Sequence, residues 1–410
     1  MANLAINGGT PLLARRLQPR WPIFGEAEKE GLLEVLHSGR WCSMGNSEGK
    51  VAQFERSFAR FIGTEYATAV PTGTDALELA FRSCGLEAGD EVIVPAVTFI
   101  ASASAVVLAS GVPVFVDVDP ETYQISPEAA EAAITSRTRA IEVVHYGGYP
   151  ADMDRIMEIA EKHGLLVVED CAEAHGSEWR GKKVGSFGSM GCFSFQMGKP
   201  LTCGEGGAVT YSDEELALQC YSWSRLGRRP GGEQYEHHIP AGNFRMSEFL
   251  GAILLSQLDR LEEQTRLRHE NGEYLAHELE KIEGISALKR DPRVTGRGYY
   301  FYFMRYDSSG WNQVHRDRFM AALEAEGIPC GTAHSSPLYR NPAFRDIKKS
   351  LLHRSQIDYS TMRCPEAERI YANEVVALTK DLLLQKEDVD KVLEGIVKLR
   401  ENLDELSAPS

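Results

Sequence analysis

No C-x-x-C pair occurs among the eight cysteines of this 410-residue chain, no apolar run approaches membrane-spanning length, and basic residues are outnumbered by acidic ones. Each absence removes a class of function. Cys42, Cys84, Cys171, Cys192, Cys203, Cys220, Cys330 and Cys364 are scattered through a chain too large to need disulfide staples, and none stands at metal-ligand spacing. Buried thiols in a reducing cytoplasm fit that usage, and no metal is expected. Met1 to Gly9 lacks a basic segment leading into an apolar one, so the expected protein is cytoplasmic, with no membrane partner. The 44 basic residues against 59 acidic ones leave a net charge of −15, which favours solubility and offers no footprint for a phosphate backbone; nucleic acid is not an expected partner. Internal repeats are lacking too, and only the tail Ser407–Ser410 is of low complexity.

What is present is an alternation of strand-like and helical patterns. Residues 1–25, with Pro11, Pro19 and Pro22, read as an arm with no core of its own that can lie on another subunit. Beyond it come the near-continuous apolar runs Val92–Val94, Val112–Val116, Ala140–Val144 and Leu165–Val168, which suit strands buried on both faces of a parallel sheet. Between the last two, Asp152 to His163 carries Met153, Ile156, Ile159 and Ala160 at helical spacing and ends in Gly164. The βαβ pattern predicts an α/β large domain over 26–258. A long amphipathic helix from Ser247 to about Ile282 links it to a smaller α+β domain over 259–410, with a strand at Tyr299–Met304, an amphipathic segment through Ala325 and a terminal helix from about Glu387 to Leu403.

Chemistry gathers where these strands end. Leu165–Val168 runs into Glu169-Asp170-Cys171-Ala172-Glu173, so acids sit at the carboxyl end of a buried parallel strand, the edge at which open α/β sheets bind ligands. The run Met190 to Phe195 leads to Lys199, which lies in a turn flanked by glycines. A lysine amine catalyses covalently as a Schiff base, and a carboxylate opposite can keep a pyridine nitrogen protonated so that the ring draws electrons; Asp170 and Lys199 can supply those functions. Pro71-Thr72-Gly73-Thr74 opens a helix whose backbone N–H groups and positive dipole end suit a phosphate, to which Ser194 can add a hydroxyl. Alone, each feature is commonplace: a helix cap, a loop acid, a surface lysine. In this order on successive strands they stop being independent.

Ser194-Phe195-x-x-x-Lys199 with Gly204-Glu205-Gly206-Gly207, Glu169-Asp170-x-Ala172-x-Ala174-His175-Gly176 and Val94-Pro95-Ala96-x-Thr98-Phe99 together resemble the DegT/DnrJ/EryC1/StrS aminotransferases, from about Trp21 to Leu399. The resemblance implies the aspartate aminotransferase-like fold type I and pyridoxal 5′-phosphate as cofactor. It implies that Lys199 carries the cofactor as a Schiff base, Asp170 pairs with its ring nitrogen, Ala172 lies under the ring and Phe99 stacks on the other face. Gly73, Thr74 and Ser194 match the phosphate binders, and Asn243 an asparagine reaching in from the partner of a homodimer with shared active sites. His334, Tyr235 and His237 are candidates for touching substrate, and Arg225, Arg228 and Arg229 for binding an anionic group on it.

Within the family, the arm before Trp21, the Gly39-Arg40-Trp41 turn, Tyr235-x-His237 and Leu382-Leu383-Leu384 resemble the branch of scyllo-inosose aminotransferases and aminohydroxybenzoate synthase. This implies ping-pong transfer of an amino group from glutamine or glutamate to a keto-cyclitol or keto-sugar. The alternatives are a lyase or dehydratase of the aminohydroxybenzoate type, a nucleotide-linked keto-sugar aminotransferase and a non-catalytic sugar sensor. Retention of Lys199, Asp170 and Asn243 together argues against the sensor. Glu173 departs from the glutamine or histidine of the family pattern near the cofactor's phenolic oxygen, where a carboxylate repels unless it is protonated or paired. Lys380 stands near a position where that branch carries histidine.

Overall fold

Seven strands that run almost wholly buried organise the larger part of the molecule: β1 (Tyr66–Val70), β2 (Glu91–Pro95), β3 (Val112–Val116), β4 (Thr138–Val144), β5 (Leu166–Asp170), β6 (Met190–Ser194) and β7 (Gly207–Tyr211). The computed structural model describes residues 3–233, 235–334, 336–345 and 357–407; the end of the low-complexity tail, residues 408–410, lies outside them. Across the sheet the order is β1-β7-β6-β5-β4-β2-β3, and β7 alone runs against the others. Parallel strands need helices on the faces to close their connections, so the central strands are covered on both sides and their side chains are apolar on both sides. The Val92–Val94 and Ala140–Val144 runs are those central strands, each extended by a residue or two at its ends.

Local signals place the helices. Asp152 caps Met153–His163 by accepting a hydrogen bond from Arg155 N, and Gly164 ends it at φ 66°, where a side chain is strained. The linking helix spans Glu248–Leu279; its first half, with Leu254 and Leu261, packs on Phe54, Phe58, Phe193 and Phe195, and its second half, with Leu275 and Leu279, joins a separate core around Tyr302, Trp311 and Phe319. That second core holds a three-stranded antiparallel sheet of Ile285–Ala287, Phe301–Tyr306 and Val375–Thr379, flanked by the helices Arg316–Ala325 and Lys386–Glu401. The strand begins at Phe301 rather than Tyr299, because Tyr299 takes φ 44° against Gly148 and turns the chain before pairing starts.

Two expectations change. The arm lies on its own chain: Leu4 is fully buried in the small-domain core with Leu13 and Leu17 beside it, and the carboxylates of Glu405 and Glu326 accept from the N–H groups of Leu4, Ala5 and Leu12. The arm's unpaired backbone donors find fixed acceptors there, which short apolar spacing does not reveal. All eight cysteines are free thiols, but Cys42 is exposed and Cys330 only partly buried.

One strand residue breaks the apolar rule. Glu142, in β4, is fully buried with no hydrogen-bond partner for either carboxylate oxygen among the described residues. Its register partner is Val168, and it shares a sheet face with Asp170, which pairs with Val144. Burial, and then the nearby Asp170 charge, hold its carboxyl well above the ordinary 4.5, so it stays protonated. The unfolded chain gives up this proton near the ordinary value and the folded chain does not, so the native state loses stability as pH rises past it. Glu142→Met should therefore stabilise the protein by about 1–3 kcal/mol at about pH 8 and by less near about pH 4, read from denaturant unfolding at the two pH values.

Candidate active site

The carboxyl ends of β1, β2, β5 and β6 point to one edge of the sheet, and the loops leaving them line a cavity of about 450 Å³. After β1, Thr72 caps the helix Gly73–Ser83: its hydroxyl oxygen accepts from Asp75 N at 3.0 Å and its proton goes to Asp75 Oδ2 at 2.9 Å. The N–H groups of Gly73 and Thr74 have no intrahelical acceptor at such a start and face the positive end of the helix dipole. Gly73 fits only without a side chain, because a Cβ there would stand 2.5 Å from Ser194 Cβ at the end of β6. After β2, Phe99 precedes the helix Ile100–Leu108 and is 55% exposed, an aromatic ring left uncovered at the cavity.

Asp170 ends β5 and is buried. Its Oδ1 accepts from Ala172 N at 3.0 Å and its Oδ2 from the Ser102 hydroxyl at 2.9 Å, with Thr98 bonded to Ser102 in turn. Burial raises the carboxyl above its ordinary 3.8, an effect that Ala172 N–H, the Ser102 hydroxyl and the Lys199 charge offset only in part. Lys199 sits in the turn after β6, where its N–H donates to Gln196 O at 2.8 Å. Its Nζ lies 4.0 Å from the centre of the Tyr300 ring and 3.6 Å from Glu173 Oε1. Glu173 is paired on its other oxygen too, which accepts from Gly147 N at 2.8 Å, so the departure at this position is compensated by one cation and one backbone donor.

Gly73, Thr74, Phe99, Asp170, Ala172, Glu173, Ser194, Lys199 and His334 thus line a single cavity. Asn243, Tyr235 and His237 do not. Asn243 is exposed with its side-chain oxygen accepting from Arg245 N, Tyr235 is 80% exposed, and His237 Nδ1 donates to Leu226 O at 2.7 Å. Arg225 lies over the Tyr221 ring in a different cavity that shares no lining residue with this one. Reading the sequence missed Thr98, Gln196, Glu205 and Tyr300 in the lining and Ser102 behind Asp170. Thr98 and Ser102 stand four apart where a strand gives way to a helix, a legible signal; Tyr300 hid inside an apolar run.

Two buried clusters near the cavity are closed by their own bonds. His145, Glu169 and Cys171 bring ligand-type atoms within 4.8 Å of one another, but Glu169 already accepts from Gly185, Phe187 and Gly188 N–H groups and from His145, whose other nitrogen accepts from Ala151 N. Lys380 is 3% exposed, 2.9 Å from Asp381 Oδ1 and 4.1 Å from the Trp21 ring, and burial lowers its amine to about 8. Trp21 in turn donates to Met197 O beside the Lys199 turn. Lys380 does not line the cavity.

Over residues 22–397 the chain matches the DegT/DnrJ/EryC1/StrS aminotransferase family. It belongs to that family. The aminotransferase is 38% identical to an L-glutamine:scyllo-inosose aminotransferase from Streptomyces griseus over 99% of each chain, and 39% identical to a 3-amino-5-hydroxybenzoate synthase from Amycolatopsis mediterranei over 86% of this chain and 89% of that one. Among solved structures it resembles 3-amino-5-hydroxybenzoic acid synthase, with a TM-score of 0.83 at 35% identity over 93% and 98% of the chains. It also resembles an aminotransferase from Psychrobacter cryohalolentis, with a TM-score of 0.86 at 31% identity over 94% and 99%. The fold is the type I fold of pyridoxal-phosphate aminotransferases, as the resemblance read from the sequence implied, and no helix among the described residues is long and apolar enough to cross a membrane.

The contact between Gly73 and Ser194 can be tested by itself. Gly73→Ala should destabilise the aminotransferase by about 1–3 kcal/mol through overpacking, and Ser194→Gly in the same chain should recover most of that loss, measured as a double-mutant cycle in thermal or denaturant unfolding.

Proposed function

We propose that this aminotransferase holds pyridoxal 5′-phosphate and moves an amino group from glutamine or glutamate to a keto-cyclitol or keto-sugar in a ping-pong reaction. The observation that carries this reading is the single cavity lined by both Lys199 and the buried Asp170. Its remaining wall suits the cofactor: a helix start with unbonded N–H groups next to the Ser194 hydroxyl, a glycine where no side chain fits, an uncovered Phe99 ring and the small Ala172. Lys199 would hold the cofactor, Gly73, Thr74 and Ser194 its phosphate, Phe99 and Ala172 its ring, and Asp170 its ring nitrogen.

When bound, the cofactor supplies an electron sink for deprotonation next to an amino group. The protein supplies the proton handling. Lys199 Nζ takes the proton from the donor's α-carbon, and the same amine later returns one to the acceptor's carbon. Glu173 and the Tyr300 ring hold that amine in place from two directions. Asp170, fixed by Ser102 and Ala172, would face the ring nitrogen with its carboxyl already in place, so that this side chain need not reorganise during the reaction.

The acceptor class rests on relatives. Scyllo-inosose aminotransferases match over nearly the whole length at 35–38% identity. A second reading, elimination of water with aromatisation, draws on the similarity to 3-amino-5-hydroxybenzoate synthase, and nucleotide-linked keto-sugars are the alternative acceptors. We further propose a homodimer in the cytoplasm, in which Asn243, exposed on one protomer, completes the phosphate end of the partner's site.

Purified protein with the cofactor should show a visible absorption band that requires Lys199, is absent in Lys199→Ala and bleaches on adding L-glutamine or L-glutamate. A band that neither donor bleaches would remove transamination in favour of elimination, and a Lys199→Ala protein with wild-type turnover would sink the whole reading. For the shared site, inactive Lys199→Ala and Asn243→Ala proteins, unfolded and refolded together, should regain about a quarter of wild-type activity, because half of the dimers are mixed and each holds one complete site. No regain on mixing would exclude sharing.

A further inference from the structure

The cavity holds one side chain whose protonation state is set from behind. Beyond the end of β4, Tyr146 is buried with its ring stacked on Phe303 at 5.0 Å, and its hydroxyl lies 2.9 Å from His334 Nδ1 and 3.3 Å from the Tyr371 hydroxyl. Tyr371 is itself 5% exposed, in the turn Ile370–Glu374 of the small domain. His334 comes from another loop of that domain, follows Ala333 at φ 59°, and lines the cavity with its ring 5.7 Å from Phe99. Three segments far apart in the chain therefore meet in one row of polar atoms.

Accounting for the protons gives the row a direction. Among the described residues the Tyr371 hydroxyl has one partner, the Tyr146 oxygen, so its proton goes there. The Tyr146 proton then has His334 Nδ1 as its acceptor, and that nitrogen must be bare. The opposite direction would leave the Tyr371 proton buried and unpaired, which native structures avoid. Burial lowers the affinity of His334 for a second proton, with Glu173 opposing and Lys199 adding to the effect, so the ring stays neutral near pH 7. A neutral ring with a bare Nδ1 carries its proton on Nε2.

We propose that Tyr146 is a positioning residue that holds His334 as the Nε2–H tautomer, so that the cavity presents the keto acceptor with a neutral hydrogen-bond donor. The substrate class this selects is a ketone bearing an oxygen that accepts a hydrogen bond near the reacting carbon, as a polyhydroxylated ring does. A half-buried donor of this kind, closed off from water by the bound acceptor, rejects analogues that lack the oxygen, because it is then left unpaired. The inference rests on the aminotransferase reading for its substrate and on the hydrogen bonds for its tautomer.

The test uses the cofactor-loaded protein labelled with 15N-histidine, the ring nitrogens being read by long-range proton–nitrogen correlation and His334 assigned by its loss in His334→Gln. The expected result is an Nε2–H ring in wild type and in Tyr371→Phe, where the Tyr146 proton still has only Nδ1 to go to, and loss of that single tautomer in Tyr146→Phe. In stopped-flow half-reactions, Tyr146→Phe should slow reoxidation of the cofactor by scyllo-inosose at least about tenfold more than it slows reduction by L-glutamine. An Nδ1–H or charged ring in wild type, an unchanged ring in Tyr146→Phe, or equal loss in both half-reactions would each overturn the proposal. No reaction of wild type with either amino donor would instead overturn the aminotransferase reading and the acceptor's part of the proposal with it, while the ring spectrum would still decide the tautomer.

Discussion

A carboxyl group buried at the end of a parallel strand is the constraint on which the site depends. Asp170 is accommodated at 5% exposure because one backbone N–H and one hydroxyl bond its two oxygens while the Lys199 charge acts on it from a third segment. Ser102 reaches it from the helix after β2, Ala172 from its own turn, and Lys199 acts from the turn after β6. Displacing the Ser102 helix or the Ala172 turn would leave a buried carboxyl oxygen without its partner, so the acid ties these segments to the sheet.

The same need for compensation explains the neighbours. Glu173 lines the cavity, and it is tolerated because Lys199 and Gly147 N–H meet its two oxygens. Glu169, one residue before Asp170, points to the opposite face of β5 and is saturated by three backbone donors and His145. Glu142 shares the Asp170 face without partners and so keeps its proton. Four acids within two strands and one turn thus meet four different sets of partners.

The small domain contributes more than a cover. Tyr300 and His334 line the cavity from it, Phe303 and Ala377 enter the core beneath the central sheet, and Trp21 from the arm rests against both Lys380 and the Lys199 turn.

Periodicity and turn chemistry were enough to read the α/β class, the sheet strands of 92–168 and the helix that ends at Gly164, because each rests on contacts between residues close in the chain. That Lys199, Asp170 and Gly73 stand at strand ends and tight turns was legible for a related reason: such places demand particular residue types whatever the remainder of the fold does. Tertiary structure decided what depends on distant partners. It put the arm on its own small domain, left Tyr235 and His237 outside the cavity, paired Glu173 with Lys199, and joined Tyr146, His334 and Tyr371 across as many as 225 positions. A side chain's chemistry can be read from its type, but its protonation state and its reach are fixed by the atoms packed against it, and those come from anywhere in the chain.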